Sequence, residues 1–294
     1  MTLNQEESKL IKIIVCDLDG TLLNHNKDIS PATVEYLIQL QKAGYLLVLA
    51  SGRFFYELEP YIHQLHMKKY HGFAVCANGL EVHHLETDTI DRFDSLTEKE
   101  IKEILTVSNQ KHINAYANDK RMYQAFCNLW LFYSIQLAQM LLRPFKHIKY
   151  DPIQVLFHTK FLKRSTPYHF QQLDKICFLS SHRKLKSFQR EILNDFPNQY
   201  KFYYINRFAM EIVKQNVGKK DALSYICEQQ HLTLQNVLAF GDSGNDEELL
   251  QSAGIGITMK NGFYQTKRKA RILSYKTNEQ EGVLDMLKRL SLIG

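Results

Sequence analysis

The strongest constraint on the fold is the point where the apolar run of residues 11–16 leads directly into two aspartates and a glycine. Apart from one lysine the run is apolar and mostly β-branched, a pattern typical of a strand buried on both faces of a parallel sheet. Gly20 ends it where such a sheet presents the carboxyl ends of its strands, and ligands of open α/β sheets bind there. Because side chains alternate along a strand, Asp17 and Asp19 are predicted to face one pocket while Leu18 offers its backbone N–H.

Two carboxylates in this arrangement suit phosphoryl transfer. One can act as a nucleophile and the other can move a proton, provided that a cation offsets their mutual repulsion. Mg²⁺ is the expected cation because it is hard, prefers oxygen ligands and binds phosphate oxygens. An Asp-x-Asp-Gly sequence alone is equally compatible with an ordinary Asp-rich turn, so the interpretation depends on the segments that follow.

A second apolar run, residues 46–50, leads into Ser51 and Gly52. The serine hydroxyl can bind a phosphate oxygen, and the glycine allows the backbone to approach it. An ordinary strand-to-helix turn with Ser51 as N-cap is the alternative.

A pair of lysines, Lys219 and Lys220, begins a helical pattern after Gly218. A cation at the start of a helix is unfavourable for the helix dipole, which suggests that one of these lysines reaches an anion. The alternative is a solvated basic pair.

A third apolar run, residues 237–240, is followed by Gly241 and a cluster of oxygen ligands. Asp242 stands where a third metal ligand is needed, and Asn245 and Asp246 follow on the same turn. An Asp/Asn-rich turn that caps a helix is the alternative, but such a turn does not require a preceding strand of the same kind.

Taken in order, these motifs resemble those of the haloacid dehalogenase-like phosphatases, in particular the Cof-type branch with a large cap domain. The motifs are Asp17-Leu18-Asp19-Gly20-Thr21, Ser51-Gly52-Arg53, Lys219 three residues before Ala222-Leu223, and Gly241-Asp242-Ser243-Gly244-Asn245-Asp246, with further similarity at Asn78-Gly79, residues 253–261 and Glu281-Gly282-Val283. The resemblance covers residues 11–85 and 208–290. The family usually has glycine where Lys220 stands, so either lysine could bind the phosphate, and the spacing to Ala222-Leu223 favours Lys219.

The resemblance implies a role for each motif residue. Asp17 would attack phosphorus to form an aspartyl-phosphate, while Asp19 would protonate the leaving alkoxide and later accept a proton from water. Mg²⁺ would be bound by Asp17, the main-chain carbonyl of Asp19 and Asp242. The phosphate ligands would be the backbone N–H of Leu18 together with Ser51, Gly52, Lys219 and Asn245. Asp246 would orient the lysine and the water on the metal, and Thr21 would stand beside these ligands.

The motifs lie at both ends of the chain, which predicts how it is divided. We expect a doubly wound α/β core with a mostly parallel sheet, built from residues 1–87 and 215–294. Residues 88–214 would form an inserted α/β cap domain that determines substrate specificity, and 294 residues suffice for two domains. The insert carries a net charge of +8 and the remainder −2. This charge could attract an anionic substrate or belong to a solvated surface.

The most apolar stretch of the insert is residues 125–142. At helical spacing, five polar side chains in this stretch and directly beside it fall in one stripe of roughly 120°, which Phe132 and Ile135 interrupt. They are Gln124, Asn128, Gln136, Gln139 and Arg143, and they predict an amphipathic helix. The helix would pack within the cap or form a contact surface, and a membrane-spanning helix is the alternative.

The predicted function is a Mg²⁺-dependent phosphatase that acts on small phosphorylated metabolites such as sugar phosphates. A hexose phosphomutase would use the same aspartates and is the first alternative. A basic nucleic-acid-binding protein is the second, because the sequence pI is about 8.9. Against it, the basic residues form no dense run beyond Lys267-Arg268-Lys269-Ala270-Arg271, which matches a helix of the family.

Cysteine usage and the N-terminal segment indicate the compartment. The five cysteines contain no Cys-x-x-Cys pair, which favours reduced thiols over disulfides or a zinc site. Residues 1–9 are polar and lack the basic and then apolar pattern of a signal peptide. We therefore expect a cytoplasmic enzyme whose partner is a small metabolite, without a membrane or nucleic-acid partner.

Overall fold

The computed structural model describes residues 9–119, 122–127, 129–145, 159–163 and 172–293. The strands in these ranges are β1 (Ile13–Cys16), β2 (Leu46–Ala50), β3 (Phe73–Cys76), β4 (Glu81–His84), β5 (Thr89–Arg92), β6 (Leu96–Thr97), β7 (Asn114–Asp119), β8 (Met122–Cys127), β9 (Thr159–Lys163), β10 (Gln172–Leu173), β11 (Ile176–Leu179), β12 (Tyr200–Asn206), β13 (Ala209–Lys214), β14 (Val237–Gly241), β15 (Ile255–Thr258) and β16 (Ile272–Leu273). The α-helices are α1 (Pro31–Lys42), α2 (Phe55–Gln64), α3 (Glu98–Gln110), α4 (Leu129–Leu142), α5 (His182–Asp195), α6 (Lys219–Gln229), α7 (Glu247–Ser252), α8 (Tyr264–Lys269) and α9 (Gly282–Leu290).

The chain divides into two compact units. The core unit comprises Met1–Phe93 and Asn216–Gly294, and the insert unit comprises Asp94–Gln215. The core sheet has the strand order β16-β15-β14-β1-β2-β3-β4-β5. The six strands from β16 to β3 are parallel, and β4 and β5 add an antiparallel hairpin at one edge. The predicted mostly parallel sheet is therefore confirmed.

Helices cover both faces of the core sheet, as expected for a doubly wound fold. Alternate residues of β1 point to opposite faces, so Ile14 packs with helices α1, α2 and α9, while Val15 packs with α6 and α7. Both faces of the strand are apolar because both are covered, which explains its unbroken run of apolar residues. Each fully buried Ile or Val contributes about 1.5–3 kcal/mol relative to an exposed one.

The insert begins later than the sequence pattern indicated. Residue 88 was the expected first residue, but β5 pairs with β4 and extends the core unit to Phe93. Tyr225 on α6 holds this hairpin against the helix. Its hydroxyl donates to Asp91 at 2.7 Å, and its ring packs edge to face against Phe93. The side chains of β5 are mostly exposed, so the strand has no apolar run by which it could be predicted.

The insert unit has its own sheet and its own core. Its strand order is β12-β13-β11-β7-β8-β9, antiparallel except for the pair β8 and β9. Helices α3 and α5 contribute apolar side chains to this core, among them Ile104 and Phe188, which are fully buried. An α/β insert is therefore present, as predicted.

The apolar stretch 125–142 contains two kinds of structure. Its first three residues end β8, and helix α4 begins at Leu129. Large apolar side chains along α4 are exposed at intervals of three and four residues, including Trp130 and Leu137. These exposed side chains fit a contact surface, and Lys163 of β9 lies over the ring of Tyr133, so the helix also meets the insert sheet. None of the helices in the described ranges combines the length and apolar character needed to cross a membrane.

Four cysteines of the described residues, three in the core unit and one in the insert unit, are free thiols. Cys16, Cys76, Cys177 and Cys227 form no disulfide, in keeping with the prediction for these four. Burial raises the pKa of the Cys16 thiol well above its ordinary value, so the group next to the proposed nucleophile remains protonated and serves in packing.

Candidate active site

Three parallel strands of the core unit end together. Cys16 at the end of β1 is in register with Leu49 of β2 and Phe240 of β14. Asp17 directly follows β1 and Asp242 directly follows β14, so the two carboxylates meet at the carboxyl edge of the sheet. This is the place where parallel α/β sheets bind ligands.

A buried lysine connects two of the carboxylates. The Nζ of Lys219 donates to Asp17 Oδ1 and to Asp246 Oδ1, each at 2.6 Å, and the lysine side chain is fully buried. Burial lowers the pKa of Lys219, but the two carboxylates outweigh this effect and hold it above its ordinary value. Lys220 is instead 37% exposed and lies 3.5 Å from Asp221. Of the two lysines, Lys219 is therefore the one that reaches the acidic cluster.

Asp17, Asp242 and Asp246 each offer a carboxylate oxygen within 4.8 Å of the others. Burial raises the pKa of Asp17 and of Asp242, and repulsion from the neighbouring carboxylates adds to the effect in both. One ammonium among three carboxylates leaves excess negative charge, which a divalent cation would offset. The cluster of hard oxygen donors therefore fits Mg²⁺.

Asp246 uses its oxygens to organise the loop after β14. Its Oδ2 accepts the backbone N–H groups of Asp242 and Ser243, both at 3.0 Å, while its Oδ1 accepts from Lys219. Asp246 thus orients the lysine and the loop, whereas Asp17 and Asp242 remain the more available metal ligands.

Thr21 and Gly20 adjoin Asp242. The Thr21 hydroxyl donates to Asp242 Oδ1 at 3.4 Å, which puts it beside the metal ligands as expected. Gly20 has a φ of +78°, and a Cβ there would lie 2.5 Å from Asp242 Oδ2. A side chain at this position would displace the carboxylate, so the motif needs glycine. Leu18 is buried, and its carbonyl accepts the N–H groups that close this turn, the shortest from Leu23 at 2.9 Å.

Asp19 differs from the expectation that both aspartates of the first motif face one pocket. Its carboxylate accepts two hydrogen bonds from Arg53, at 2.7 and 2.6 Å, and one from Lys27 at 2.7 Å. Burial raises its pKa, but these cations outweigh burial and the net pKa lies below the ordinary value. The Asp19 side chain is 43% exposed and does not join the buried carboxylate cluster.

The phosphate-ligand candidates Ser51, Gly52 and Asn245 lie around one further residue, Asn78. Ser51 is buried directly after β2, and the Nδ2 of Asn245 donates to Asn78 Oδ1 at 2.8 Å. A Cβ at Gly52 would lie 2.9 Å from the same oxygen. Three residues that contact the predicted site residues were not themselves predicted from the sequence: Asn78, Arg53 and Lys27. Arg53 adjoins the Ser-Gly motif and Asn78 follows a buried strand, whereas nothing in the sequence marks Lys27.

A family model described as haloacid dehalogenase-like hydrolase matches residues 14–287. The chain belongs to this family. The resemblance carried by the motifs is thereby confirmed. A solved structure of a haloacid dehalogenase-like hydrolase from Bacteroides thetaiotaomicron aligns with a TM-score of 0.71 at 25% identity, covering 95% of this chain and 99% of that one.

Two curated relatives of this haloacid dehalogenase-like hydrolase are similar over nearly its whole length. Pyridoxal phosphate phosphatase YbhA of Escherichia coli K12 is 25% identical over 268 residues, which cover 89% of this chain and 92% of the relative. HMP-PP phosphatase of Yersinia pseudotuberculosis serotype O:1b (strain IP 31758) is 24% identical over 291 residues, which cover 95% and 94%. The predicted enzyme class, a phosphoric monoester hydrolase of this family, agrees with both names.

Proposed function

We propose that the protein is a Mg²⁺-dependent phosphatase that hydrolyses small phosphorylated metabolites, such as sugar phosphates or related phosphomonoesters, through an aspartyl-phosphate on Asp17. The observation that carries the proposal is the cluster of Asp17, Lys219, Asp242 and Asp246 at the carboxyl edge of a parallel sheet, in which all but the half-buried Asp242 are buried. The relatives named as phosphatases of pyridoxal phosphate and HMP-PP support a small phosphorylated substrate.

In the first half of the reaction a carboxylate oxygen of Asp17 attacks phosphorus, and the bond from phosphorus to the leaving alkoxide breaks. Lys219 lies 2.6 Å from Asp17 Oδ1 and holds that carboxylate in one orientation. Because its ammonium is buried, its charge is little screened and can stabilise the oxygens of the transferring group. Asp246 keeps the ammonium in place from the other side.

Asp19 donates a proton to the leaving alkoxide and, in the second half, accepts one from the water that attacks phosphorus. To donate, Asp19 first takes up a proton from solvent. Arg53 and Lys27 lower the pKa of Asp19 and so oppose this step, and its carboxylate must therefore leave both ion pairs before it meets the substrate oxygen. The Lys27 pair is exposed to water, whereas the Arg53 side chain is only 20% exposed.

The proposed Mg²⁺ ligands are Asp17, Asp242 and the main-chain carbonyl of Asp19. When bound, the ion supplies positive charge that stabilises the transferring phosphoryl group. Ser51, Gly52, Lys219 and Asn245, with the backbone N–H of Leu18, are the proposed phosphate ligands. Such positioning and electrostatic stabilisation provide nearly all that phosphoryl transfer requires.

The basic run on and after α8 has partners within the core unit. Lys269 forms an ion pair with Glu247, the Arg271 guanidinium donates to the carbonyl of Gly254, and Arg268 lies over the ring of Tyr264. These contacts give three of the basic side chains structural partners, and the absence of a nucleic-acid partner stays a prediction.

A phosphate-release screen over sugar phosphates, pyridoxal phosphate, nucleotides and p-nitrophenyl phosphate tests the proposed function. We expect Mg²⁺-dependent release of inorganic phosphate from at least one small phosphomonoester. Conversion of glucose 1-phosphate to glucose 6-phosphate without phosphate release would identify a phosphomutase instead. Retention on an oligonucleotide column without phosphatase activity would identify a nucleic-acid-binding protein.

Removal of the metal is expected to abolish activity. Dialysis against EDTA should inactivate the enzyme and Mg²⁺ should restore it, whereas Ca²⁺ should support it poorly because its longer and looser coordination misplaces the reacting groups. Asp242→Ala should raise the Mg²⁺ concentration needed for half-maximal activity by on the order of tenfold or more, since outer and inner ligands both tune metal affinity. Full activity after exhaustive dialysis against EDTA would rule out a metal role.

A further inference from the structure

Three consecutive residues after β3 have left-handed backbone conformations. The φ values are +49° at Ala77, +61° at Asn78 and +98° at Gly79. Glycine adopts this region freely and asparagine tolerates it, but alanine avoids it. A run of this kind persists only where the surrounding structure holds it, and such strain is concentrated at functional sites. We name residues 77–79 the left-handed turn.

Two main-chain hydrogen bonds hold the left-handed turn against the loop after β2. The N–H of Asn78 donates to the carbonyl of Ser51 at 3.0 Å, and the N–H of Ala77 donates to the carbonyl of Arg53 at 2.8 Å. The turn therefore fixes the path of the loop that carries Ser51 and Gly52.

The side chain of Asn78 meets the loop after β14. It is 1% exposed, and its Oδ1 accepts from Asn245 Nδ2 at 2.8 Å. The Oδ1 of Asn245 in turn accepts from the Ser243 hydroxyl at 2.5 Å. These two contacts fix which way the Asn245 amide points. The amino group of Asn245 faces Asn78, and its second N–H remains available to a phosphate oxygen. If the amide were flipped, its carbonyl oxygen would face the phosphate instead.

Gly79 meets the third phosphate-binding segment. A Cβ at this position would lie 2.2 Å from the carbonyl oxygen of Gly218 and 3.0 Å from the backbone nitrogen of Lys219. Only glycine allows this approach, so the left-handed turn packs directly against the start of the helix that carries the buried lysine.

We propose that Asn78 is a positioning residue of the phosphate site, acting through Asn245. Through the left-handed turn it holds together the loops that contain Ser51 and Asn245 and the start of α6. The inference rests on the proposed function, because it takes these residues as phosphate ligands. Its contribution is to present the Asn245 amino group, and not the carbonyl, to the phosphate.

Asn78→Gly tests this role because it removes the side chain while keeping the left-handed backbone. Its matched control is Asn198→Gly, an exposed asparagine of the insert unit with φ +59°. We expect kcat/KM for p-nitrophenyl phosphate to fall on the order of tenfold or more in Asn78→Gly. The reacting groups are unchanged, but the Asn245 amide is no longer held in position, and misplacement of a ligand lowers the rate. Asn198→Gly should stay within about twofold of the unaltered enzyme.

A double-mutant cycle tests whether Asn78 acts through Asn245. In an Asn245→Ala background, Asn78→Gly should cause no further loss of kcat/KM, because residues that act as a unit are not additive. Equal losses in both backgrounds would overturn the inference, as would an Asn78→Gly enzyme with unchanged kcat/KM. A purely structural role would lower the thermal unfolding temperature without this dependence on Asn245.

Asn78→Ser provides a second variant if Asn78→Gly does not fold. It keeps a polar side chain at this buried position, but its hydroxyl is too short to accept from Asn245 as the Asn78 amide oxygen does at 2.8 Å. We expect kcat/KM for p-nitrophenyl phosphate to fall on the order of tenfold in Asn78→Ser, with no further loss of kcat/KM when it is introduced into an Asn245→Ala enzyme. An unchanged kcat/KM in Asn78→Ser would overturn the inference.

The unaltered enzyme separates failure of the inference from failure of the proposed function. If it releases phosphate and Asp17→Asn does not, while Asn78→Gly matches the unaltered enzyme, only the inference fails. If the unaltered enzyme neither releases phosphate from any substrate of the screen nor binds inorganic phosphate in calorimetry with Mg²⁺, both fail.

Discussion

Asp17→Asn is expected to reduce phosphate release on the order of 10³-fold or more, because the amide keeps the shape of the side chain but is not a nucleophile. The fold should be retained. Asp17 is one of three carboxylates around a single buried lysine, so the substitution removes a repelling charge while Asp246 still pairs with Lys219. The measurement is steady-state phosphate release, with circular dichroism to verify folding.

Asp88→Asn is the matched control for this substitution. Asp88 is exposed, forms a surface ion pair with Lys68 and has a φ of +54°, which asparagine tolerates as well as aspartate. Its activity should stay near that of the unaltered enzyme. Substantial turnover by a folded Asp17→Asn enzyme would contradict the covalent mechanism.

Lys219→Ala is expected to lower kcat/KM on the order of 10²-fold or more, because it removes a buried charge that stabilises the transferring group. It should also lower the unfolding temperature. Breaking a buried ion pair by removing one partner costs about 3–5 kcal/mol, and here two buried carboxylates lose their common cation. Thermal unfolding and kinetics measured on the same preparation separate the two effects.

Lys220→Gly is the matched control, since it restores the residue that the family usually has. Lys220 is partly exposed and its nearest carboxylate, Asp221, is 3.5 Å away, so its loss should change kcat/KM little. A large loss in Lys220→Gly together with a small loss in Lys219→Ala would mean that the other lysine binds the phosphate.

Much of the core could be predicted from local patterns. A strand buried on both faces must be continuously apolar, and the polar residues that follow several parallel strands must meet at one edge. The strands before Asp17, Ser51 and Asp242 all carry this signal, so the sequence placed these residues together without tertiary information. The fold is confirmed, while the catalytic roles of the residues remain proposals.

Contacts that depend on tertiary geometry could not be predicted. The partners of Asp19 are long side chains whose direction no local pattern fixes, and Lys27 stands in an ordinary polar loop. Asn78 and Asn245 are 167 positions apart, and their contact arises only when two separate strands end at the same edge. The end of the first core segment at Phe93 could likewise not be predicted, because the exposed strand β5 has no apolar run.

Rapid acid quenching of the enzyme during turnover tests the covalent mechanism most directly. Acid preserves an acyl phosphate long enough for proteolysis and mass spectrometry of the peptide that contains Asp17. We predict a phosphoryl group on Asp17 in the unaltered enzyme with Mg²⁺, and none in Asp17→Asn or after chelation. Full turnover with no phosphoryl group on Asp17, or with the group on another residue, would contradict the mechanism.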